Sequence, residues 1–130
     1  MHIFPYQYKQ IELGKLFNPM ALLPVKTAQG WQNLWFLVDS GADTVMLPVG
    51  LAKALGLKFD SSVVTSLWGI GKQAVTASPG KVTFKINSRE LIVRSYFVHT
   101  NDSALLLGRL DVFEKFSVSF DRKRQAVVFS

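Results

Sequence analysis

Short apolar runs alternate with turn signals along the whole chain, and this pattern predicts a mostly β protein. About nine short strands are expected, namely residues 20–27, 31–39, 45–47, 62–68, 73–78, 81–86, 91–98, 116–121 and 125–129. Gln29-Gly30 predicts a hairpin turn between the first two strands, and Asn87-Ser88 predicts another between 81–86 and 91–98. Pro24 favours an edge or irregular position for the first strand, because proline has no N–H to donate to a neighbouring strand.

Two short helices are predicted between these strands. Pro48 precedes residues 49–55 and Gly56 follows them, and Pro at the start with Gly just past the end is typical of a helix. A second helix is predicted over residues 105–115, with Ser103 as its N-cap. The predicted fold class is therefore mostly β with two short helices.

Composition limits the classes of protein to which the chain can belong. The chain has 130 residues, of which 48% are hydrophobic and 18% charged, so we expect one globular domain spanning residues 1–130. It has no cysteine, which excludes disulfides and thiolate metal sites. His2 and His99 are too far apart in sequence to suggest a metal site, and we expect no metal or other cofactor.

Charge and hydropathy bear on partners and location. No apolar run approaches the roughly 20 residues of a membrane helix, and the N-terminus does not resemble a signal peptide. We therefore expect a cytoplasmic protein without a membrane partner. The net charge of +6 favours acidic partners only weakly, since the basic residues are scattered apart from residues 122–124, which we interpret as a solvated hairpin turn.

The strongest chemical signal lies where the apolar run 34–38 ends in Asp39, followed by Ser40-Gly41. Burial of a lone carboxylate is costly, so a strand that leads directly into an acid favours a functional position over an ordinary turn. Two carboxylates held close together share a proton, and can then serve as acid and base on either side of a water molecule. Gly41 allows the backbone to approach the acid and donate N–H bonds, and the Ser40 hydroxyl can reach a matching turn in a partner.

Two later segments add to this signal. Gly69-Ile70-Gly71 lies between two predicted strands and is typical either of an ordinary glycine-rich turn or of a mobile lid that closes on an extended peptide. Three leucines at 105–107 run into Gly108, which indicates a buried strand that meets the start of a helix, with close backbone packing at Gly108. Arg109 then follows so near the predicted core that it needs a carboxylate, and Asp43 is the natural candidate unless it forms a plain Asx-turn.

These segments, in this order, resemble the retropepsin-like aspartic proteases, a single-domain family of retroviral proteases and their cellular and bacterial relatives. The matching motifs are Val38-Asp39-Ser40-Gly41-Ala42-Asp43, Gly69-Ile70-Gly71 and Leu106-Leu107-Gly108-Arg109. The resemblance implies a closed β-barrel and a catalytic Asp39 supported by Ser40 and Gly41. It also implies a set of substrate-binding residues, Ala42, Asp43, Gly69, Ile70 and Gly71, and structural support from Gly108 and from Arg109 paired with Asp43.

The catalytic motif occurs once, because no other acid in the chain is followed by Ser-Gly or Thr-Gly. One chain therefore supplies one catalytic aspartate, and we predict a two-fold homodimer in which Asp39 meets the partner's Asp39. Retroviral members usually carry Thr where this chain has Ser40, and the helix at 49–55 and the extra N-terminal segment are more similar to cellular and bacterial members. The hairpin that ends at Ser130 argues against a retroviral-style interlaced terminal interface.

The leading hypothesis is a homodimeric aspartic endopeptidase that hydrolyses peptide bonds in extended polypeptides through the Asp39 pair and an activated water. Its partners would be a peptide or protein substrate and a second copy of the chain, without metal or nucleic acid. The alternative is a catalytically weak or inactive retropepsin-fold module for dimerisation or peptide binding. A nucleic-acid-binding β-barrel has thin support, since aromatic and basic residues hardly interleave.

Overall fold

The computed structural model describes residues 1–68, 74–101 and 103–130, and this part of the chain is mostly β, as predicted. Its elements, in chain order, are β1 (His2–Pro5), β2 (Gln7–Ile11), β3 (Gly14–Asn18), β4 (Met20–Thr27), β5 (Gly30–Val38), β6 (Val45–Pro48), α1 (Val49–Ala54), β7 (Thr65–Trp68), β8 (Ala74–Ile86), β9 (Arg89–Val98), β10 (Leu106–Leu107), β11 (Val118–Asp121) and β12 (Ala126–Phe129). No helix within the described ranges has the length and apolar character needed to cross a membrane.

The main sheet has seven strands in the order β4-β5-β10-β6-β9-β8-β7. The two predicted hairpins are present, since β4 pairs antiparallel with β5 and β8 pairs antiparallel with β9. Alternate residues of these strands point into the core, where Leu23, Phe36, Phe84 and Phe97 are fully buried. The period of two in the sequence therefore places one face of each strand against the core.

The sheet curves back on itself at one point. Val25 of β4 lies opposite Phe84 of β8, and this is the single register pair between those two strands. Apart from that bridge, β4 pairs only with β5 in the described part of the chain, which agrees with the edge position that Pro24 predicts. A single bridge does not establish a closed barrel, which stays a prediction.

A second sheet, in the order β1-β12-β11, contains the predicted C-terminal hairpin. The central strand is β12, whose four residues are all buried and whose two edges pair with β1 and β11. The sequence pattern predicts neither β1 nor the hairpin formed by β2 and β3, which is a separate two-stranded sheet.

The first predicted helix is confirmed by α1, which is followed by Leu55 as C-cap and by Gly56 at a left-handed φ of +68°. A side chain at Gly56 would also collide with Ala28, because an added Cβ would lie 2.5 Å from the Ala28 Cβ. Glycine is thus required here both by the helix end and by the packing against the turn after β4.

The second predicted helix, over residues 105–115, is wrong. Leu106 and Leu107 form β10, which is parallel to β5 and antiparallel to β6. The following residues form turns, and Asp111 has a left-handed φ of +65°, which interrupts any helix. The slot between β5 and β6 offers the leucine backbone hydrogen-bond partners on both sides, and this outweighs the helical preference of leucine.

The predicted break between residues 73–78 and 81–86 is also wrong, because β8 runs through Pro79 and Gly80 for 13 residues. Gly80 has a packing role, since a Cβ there would lie 2.5 Å from the Phe97 ring and 2.8 Å from the Phe59 Cβ. Asp60 N–H donates to the Pro79 carbonyl at 3.0 Å, so the segment after α1 lies directly against this part of the strand. Pro and Gly here serve close packing rather than a turn.

Candidate active site

Asp39 follows β5 directly and is held in place by backbone hydrogen bonds on both sides of that strand. Leu37 N–H donates to the Leu105 carbonyl at 2.8 Å, and Asp39 N–H donates to the Leu107 carbonyl at 3.0 Å. On the other side, Val38 N–H donates to the Pro19 carbonyl at 2.8 Å. Val38 is buried and Asp39 is half-buried, so the acid emerges from the core at a fixed position.

The turn after Asp39 closes onto its carboxylate. Gly41 N–H donates to Asp39 Oδ1 at 2.9 Å, and Ala42 N–H donates to the Asp39 carbonyl at 3.2 Å. A Cβ on Gly41 would lie 3.2 Å from the same Oδ1, so a larger residue would displace the carboxylate. Glycine therefore permits the close approach that the sequence predicts. Asp39 makes no ion pair within residues 1–68, 74–101 and 103–130.

Gly108 allows the segment after β10 to pack closely against the turn that follows Asp39. A Cβ at this position would lie 2.2 Å from the Thr44 carbonyl oxygen and 2.5 Å from its carbonyl carbon. Two backbone bonds lock the same contact, since Arg109 N–H donates to the Ala42 carbonyl at 3.0 Å and Leu110 N–H donates to the Asp43 carbonyl at 2.9 Å. Residues 42–44 therefore pack directly on the segment after β10, which we call the floor of the turn. Only glycine fits at the start of this segment.

The predicted ion pair between Asp43 and Arg109 is present, with Arg109 Nη2 2.6 Å from Asp43 Oδ1. The pair was expected because Arg109 was thought to lie near the core. That reason does not hold, since the Arg109 side chain is 54% exposed and that of Asp43 is 84% exposed. Exposed pairs are screened by water and contribute no more than about 1 kcal/mol to stability. The pair therefore orients the Asp43 carboxylate rather than stabilising the core.

A second carboxylate site, which the sequence analysis missed, lies behind the turn. Asp111 is buried and accepts three hydrogen bonds from Arg94, one from its backbone N–H and two from its guanidinium, each of 2.9 Å. These bonds lower the pKa of Asp111 to about 2. The bonds join the segment after β10 to β9. The sequence offered one sign of this ion pair, an acid within a leucine-rich run, but its partner Arg94 lies 17 positions away.

The remaining predicted site residues are placed as follows. Ser40 is exposed, and its side chain has no hydrogen-bond partner in the described part of its own chain. Ala42 is buried beside the turn. Gly69, Ile70 and Gly71 lie outside the described residues, so their role as a lid stays a prediction. The strands on either side, β7 and β8, pair antiparallel with Trp68 opposite Ala74.

Two cavities of the structure lie away from Asp39. One, of about 860 Å³, lies between the turn after β4, the segment after α1 and β8. Another, of about 450 Å³, is lined by Thr44, Ser95 and Tyr96 among others. Asp39 lines neither of them. Asp39 is half-buried and lies outside both of these cavities.

The segments that form this site also match a known protein family in sequence. The sequence model of a family described as aspartyl protease matches residues 23–109, which include Asp39, its turn and the Gly108-Arg109 floor. The chain belongs to the aspartyl protease family. No curated protein sequence matches this aspartyl protease.

Two solved structures show the same fold. The protease of EIAV, complexed with the inhibitor HBY-793, matches with 23% identity over 71% of this chain and 82% of its own, at a TM-score of 0.55. A retropepsin-like aspartic protease from Rickettsia conorii matches with 18% identity over 98% of this chain and 97% of its own, at a TM-score of 0.62. The predicted retropepsin-like fold is confirmed, and the greater coverage by the bacterial structure agrees with the predicted likeness to bacterial members.

Proposed function

We propose that this chain is a homodimeric aspartic endopeptidase whose dyad consists of Asp39 and the partner's Asp39. The observation that carries the proposal is the fixed carboxylate at the end of β5, held by the Gly41 N–H and without an ion pair among the described residues. Such a carboxylate has a fixed position, and no cation of the described chain neutralises it. Membership of the aspartyl protease family supports the same assignment.

A second chain is needed because this one provides a single suitable acid. Asp43, the acid nearest in sequence to Asp39, is bound to Arg109. Asp39 lines neither of the two cavities described above, and in the proposed dimer a cleft around it would be completed by the second chain. A two-fold axis beside the Asp39 turn supplies both the second carboxylate and the second wall of that cleft.

The proposed reaction uses the two carboxyl groups in opposite protonation states. One Asp39 is ionised and removes a proton from water, while the other is protonated and donates its proton to the scissile carbonyl oxygen. The hydroxide oxygen bonds to the carbonyl carbon and gives a tetrahedral gem-diol. As the C–N bond breaks, the carboxyl group that took the water proton gives it to the leaving amine, and the other carboxylate takes a proton back from a gem-diol hydroxyl, which becomes the carbonyl of the new carboxyl group. Peptide and water are consumed, two shorter peptides form, and the dyad returns to its starting state.

The substrate would be an extended polypeptide. The exposed carboxylate of Asp43, oriented by Arg109, is suited to accept a backbone N–H of such a chain. Ala42, beside it, would contribute apolar contact, and Gly69, Ile70 and Gly71 would cover the substrate from the other side. We expect a preference for apolar side chains around the cleaved bond.

The experiment is cleavage of unfolded casein at mildly acid pH by wild type and by Asp39→Asn, with and without pepstatin. We expect pepstatin-sensitive cleavage by the wild type and none by Asp39→Asn, while folding and dimerisation are retained. Asp60→Asn is the matched control, because Asp60 is exposed, outside the site, and bonded only to Ser62 through its side chain in the described chain. Full activity of Asp39→Asn would disprove the assignment. A dimer that binds pepstatin without cleaving casein would instead favour the peptide-binding module.

A further inference from the structure

The hairpin formed by β2 and β3 stands apart from the rest of the fold. Its strands pair only with each other within the described residues, from Gln7 opposite Asn18 to Ile11 opposite Gly14. None of its residues belongs to the core cluster. A two-stranded hairpin alone in water is only marginally stable. Its persistence as a long, regular element therefore calls for a surface on which it packs.

The base of this hairpin lies beside the catalytic turn. Pro19 directly follows β3, and its carbonyl accepts the Val38 N–H at 2.8 Å, one residue before Asp39. Met20, the next residue, lies opposite Leu37 in the main sheet. Strands of five residues extend about 17 Å at roughly 3.4 Å per residue. The tip of the hairpin can therefore lie as much as about 17 Å from its base beside the Asp39 turn.

The two faces of the hairpin differ in their contacts. One face carries Tyr8 and Phe17, which are 47% and 40% exposed but also touch the same chain: the Tyr8 hydroxyl bonds to the Gln125 side chain, and Phe17 stacks on Tyr6 at 4.4 Å. The opposite face carries Ile11 and Leu16, which are 39% and 40% exposed, and Leu13 at the tip is 96% exposed. Exposed apolar residues grouped in this way are typical of an interface.

The position of the hairpin indicates which molecule it packs on. In the proposed dimer the Asp39 turns meet at the two-fold axis, so a segment anchored one residue before Asp39 lies next to that axis. The terminal strands offer no alternative through β12, since both of its edges are already paired with β1 and β11 of the same chain. The surface that faces the hairpin across the axis then belongs to a second copy of this chain.

We propose that residues 7–18 form an arm that crosses the two-fold axis and packs on the second copy, with Ile11, Leu13 and Leu16 as its apolar contacts. This inference rests on the proposed dimeric protease. In this dimer the arm near the N-terminus would join the two chains in place of interlaced terminal strands. Two symmetry-related arms would hold the two Asp39 turns together from outside the dyad.

The test measures the dimer dissociation constant by sedimentation equilibrium, in the Asp39→Asn background so that self-cleavage does not interfere. We expect the double variant Leu13→Asp, Leu16→Asp to raise this constant at least tenfold without lowering the thermal midpoint of the monomer. Ile92→Asp is the matched control, because Ile92 is an exposed apolar strand residue, 63% exposed, on β9. It should leave the constant unchanged.

A second measurement decides the case even if the double variant fails to fold. The chain has no cysteine, so Leu13→Cys accepts a single environment-sensitive fluorophore. Its emission should shift to the blue over the concentration range in which sedimentation shows dimer formation. A dimer that forms without that shift, or one that the folded double variant retains unchanged, would overturn the arm and leave the protease proposal standing. A wild type that stays monomeric at high concentration with pepstatin would overturn both.

Discussion

Asp39 and Asp111 are both held by a backbone N–H at 2.9 Å, and they differ in what else they touch. Asp39 receives its bond from Gly41 and has no ion pair among the described residues, whereas Asp111 receives its bond from Arg94 and is clamped by the same guanidinium. The bond fixes the position of each carboxylate, and the cation in addition fixes the charge of Asp111. A group that must exchange protons during turnover needs the first contact without the second.

The sharpest test of this comparison removes one charge at a time. Asp39→Asn should lower kcat/KM by about 10³-fold or more, with the free energy of unfolding unchanged. Asp111→Asn should do the reverse, since Asn tolerates the left-handed backbone but leaves the Arg94 guanidinium without its counter-charge. We expect it to lose about 2 kcal/mol of unfolding free energy and to keep kcat. Casein cleavage and urea unfolding of both variants measure the four outcomes, and a loss of activity in Asp111→Asn at a temperature where it is folded would break the distinction.

Gly108→Ala should affect both carboxylates at once. The added Cβ would meet the Thr44 backbone at 2.2 Å, and a backbone cannot move aside as a flexible side chain does. We expect a loss of about 3 kcal/mol or more of unfolding free energy, together with most of the cleavage activity, because residues 42–44 must leave their floor. Gly50→Ala is the matched control, since Gly50, like Gly108, has no left-handed φ and its added Cβ would meet Asn101 Oδ1 at an ordinary 3.6 Å. An equal loss in Gly50→Ala would show that the contact with Thr44 is not the cause.

The local parts of this fold and site were accessible from the sequence. Strand periodicity, the start and end of α1, and the Asp39-Ser40-Gly41 turn each depend on neighbouring residues, and each is found where the sequence predicts it. The Asp43–Arg109 pair is also found, although both side chains are exposed rather than near the core. In that case the motif identified the partner correctly while the physical reason was mistaken.

The parts that were missed depend on distant or conformational information. β1 pairs with β12, so that His2 lies opposite Phe129, and no local pattern reveals such a partner. The leucine run before Gly108 suits either a helix or a buried strand, and the choice is made by the open slot between β5 and β6. Asp111 combines a left-handed backbone with hydrogen bonds from Arg94, and these bonds are likewise a contact between distant segments.

Acid pH should reduce the free energy of unfolding that the Arg94–Asp111 ion pair contributes. The pKa of Asp111 is about 2 in the folded chain, below its ordinary value of 3.8, because Arg94 bonds to the ionised form. The clamp therefore stabilises the fold fully above the ordinary value, and its contribution is lost as the pH falls from about 4 towards 2. The difference in unfolding free energy between wild type and Asp111→Asn should shrink from about 2 kcal/mol at pH 5 to a small residue near pH 2. A difference that stays constant over this range would show that charge is not what Asp111 contributes.

The smallest expected effect concerns the exposed pair of Asp43 and Arg109, beside the Asp39 turn. Arg109→Gln removes the partner of Asp43 but keeps the backbone N–H that binds the Ala42 carbonyl. Since both side chains are largely in water, the free energy of unfolding should change by less than about 1 kcal/mol. If the pair orients Asp43 towards a substrate backbone, KM for a peptide should rise several-fold while kcat changes little. Arg124→Gln, which breaks the exposed pair with Asp121 far from the turn in sequence, is the matched control and should leave KM unchanged. An unchanged KM in Arg109→Gln as well would mean that Asp43 needs no orienting cation, and the contrast between a clamped and an open carboxylate would then be confined to Asp111 and Asp39.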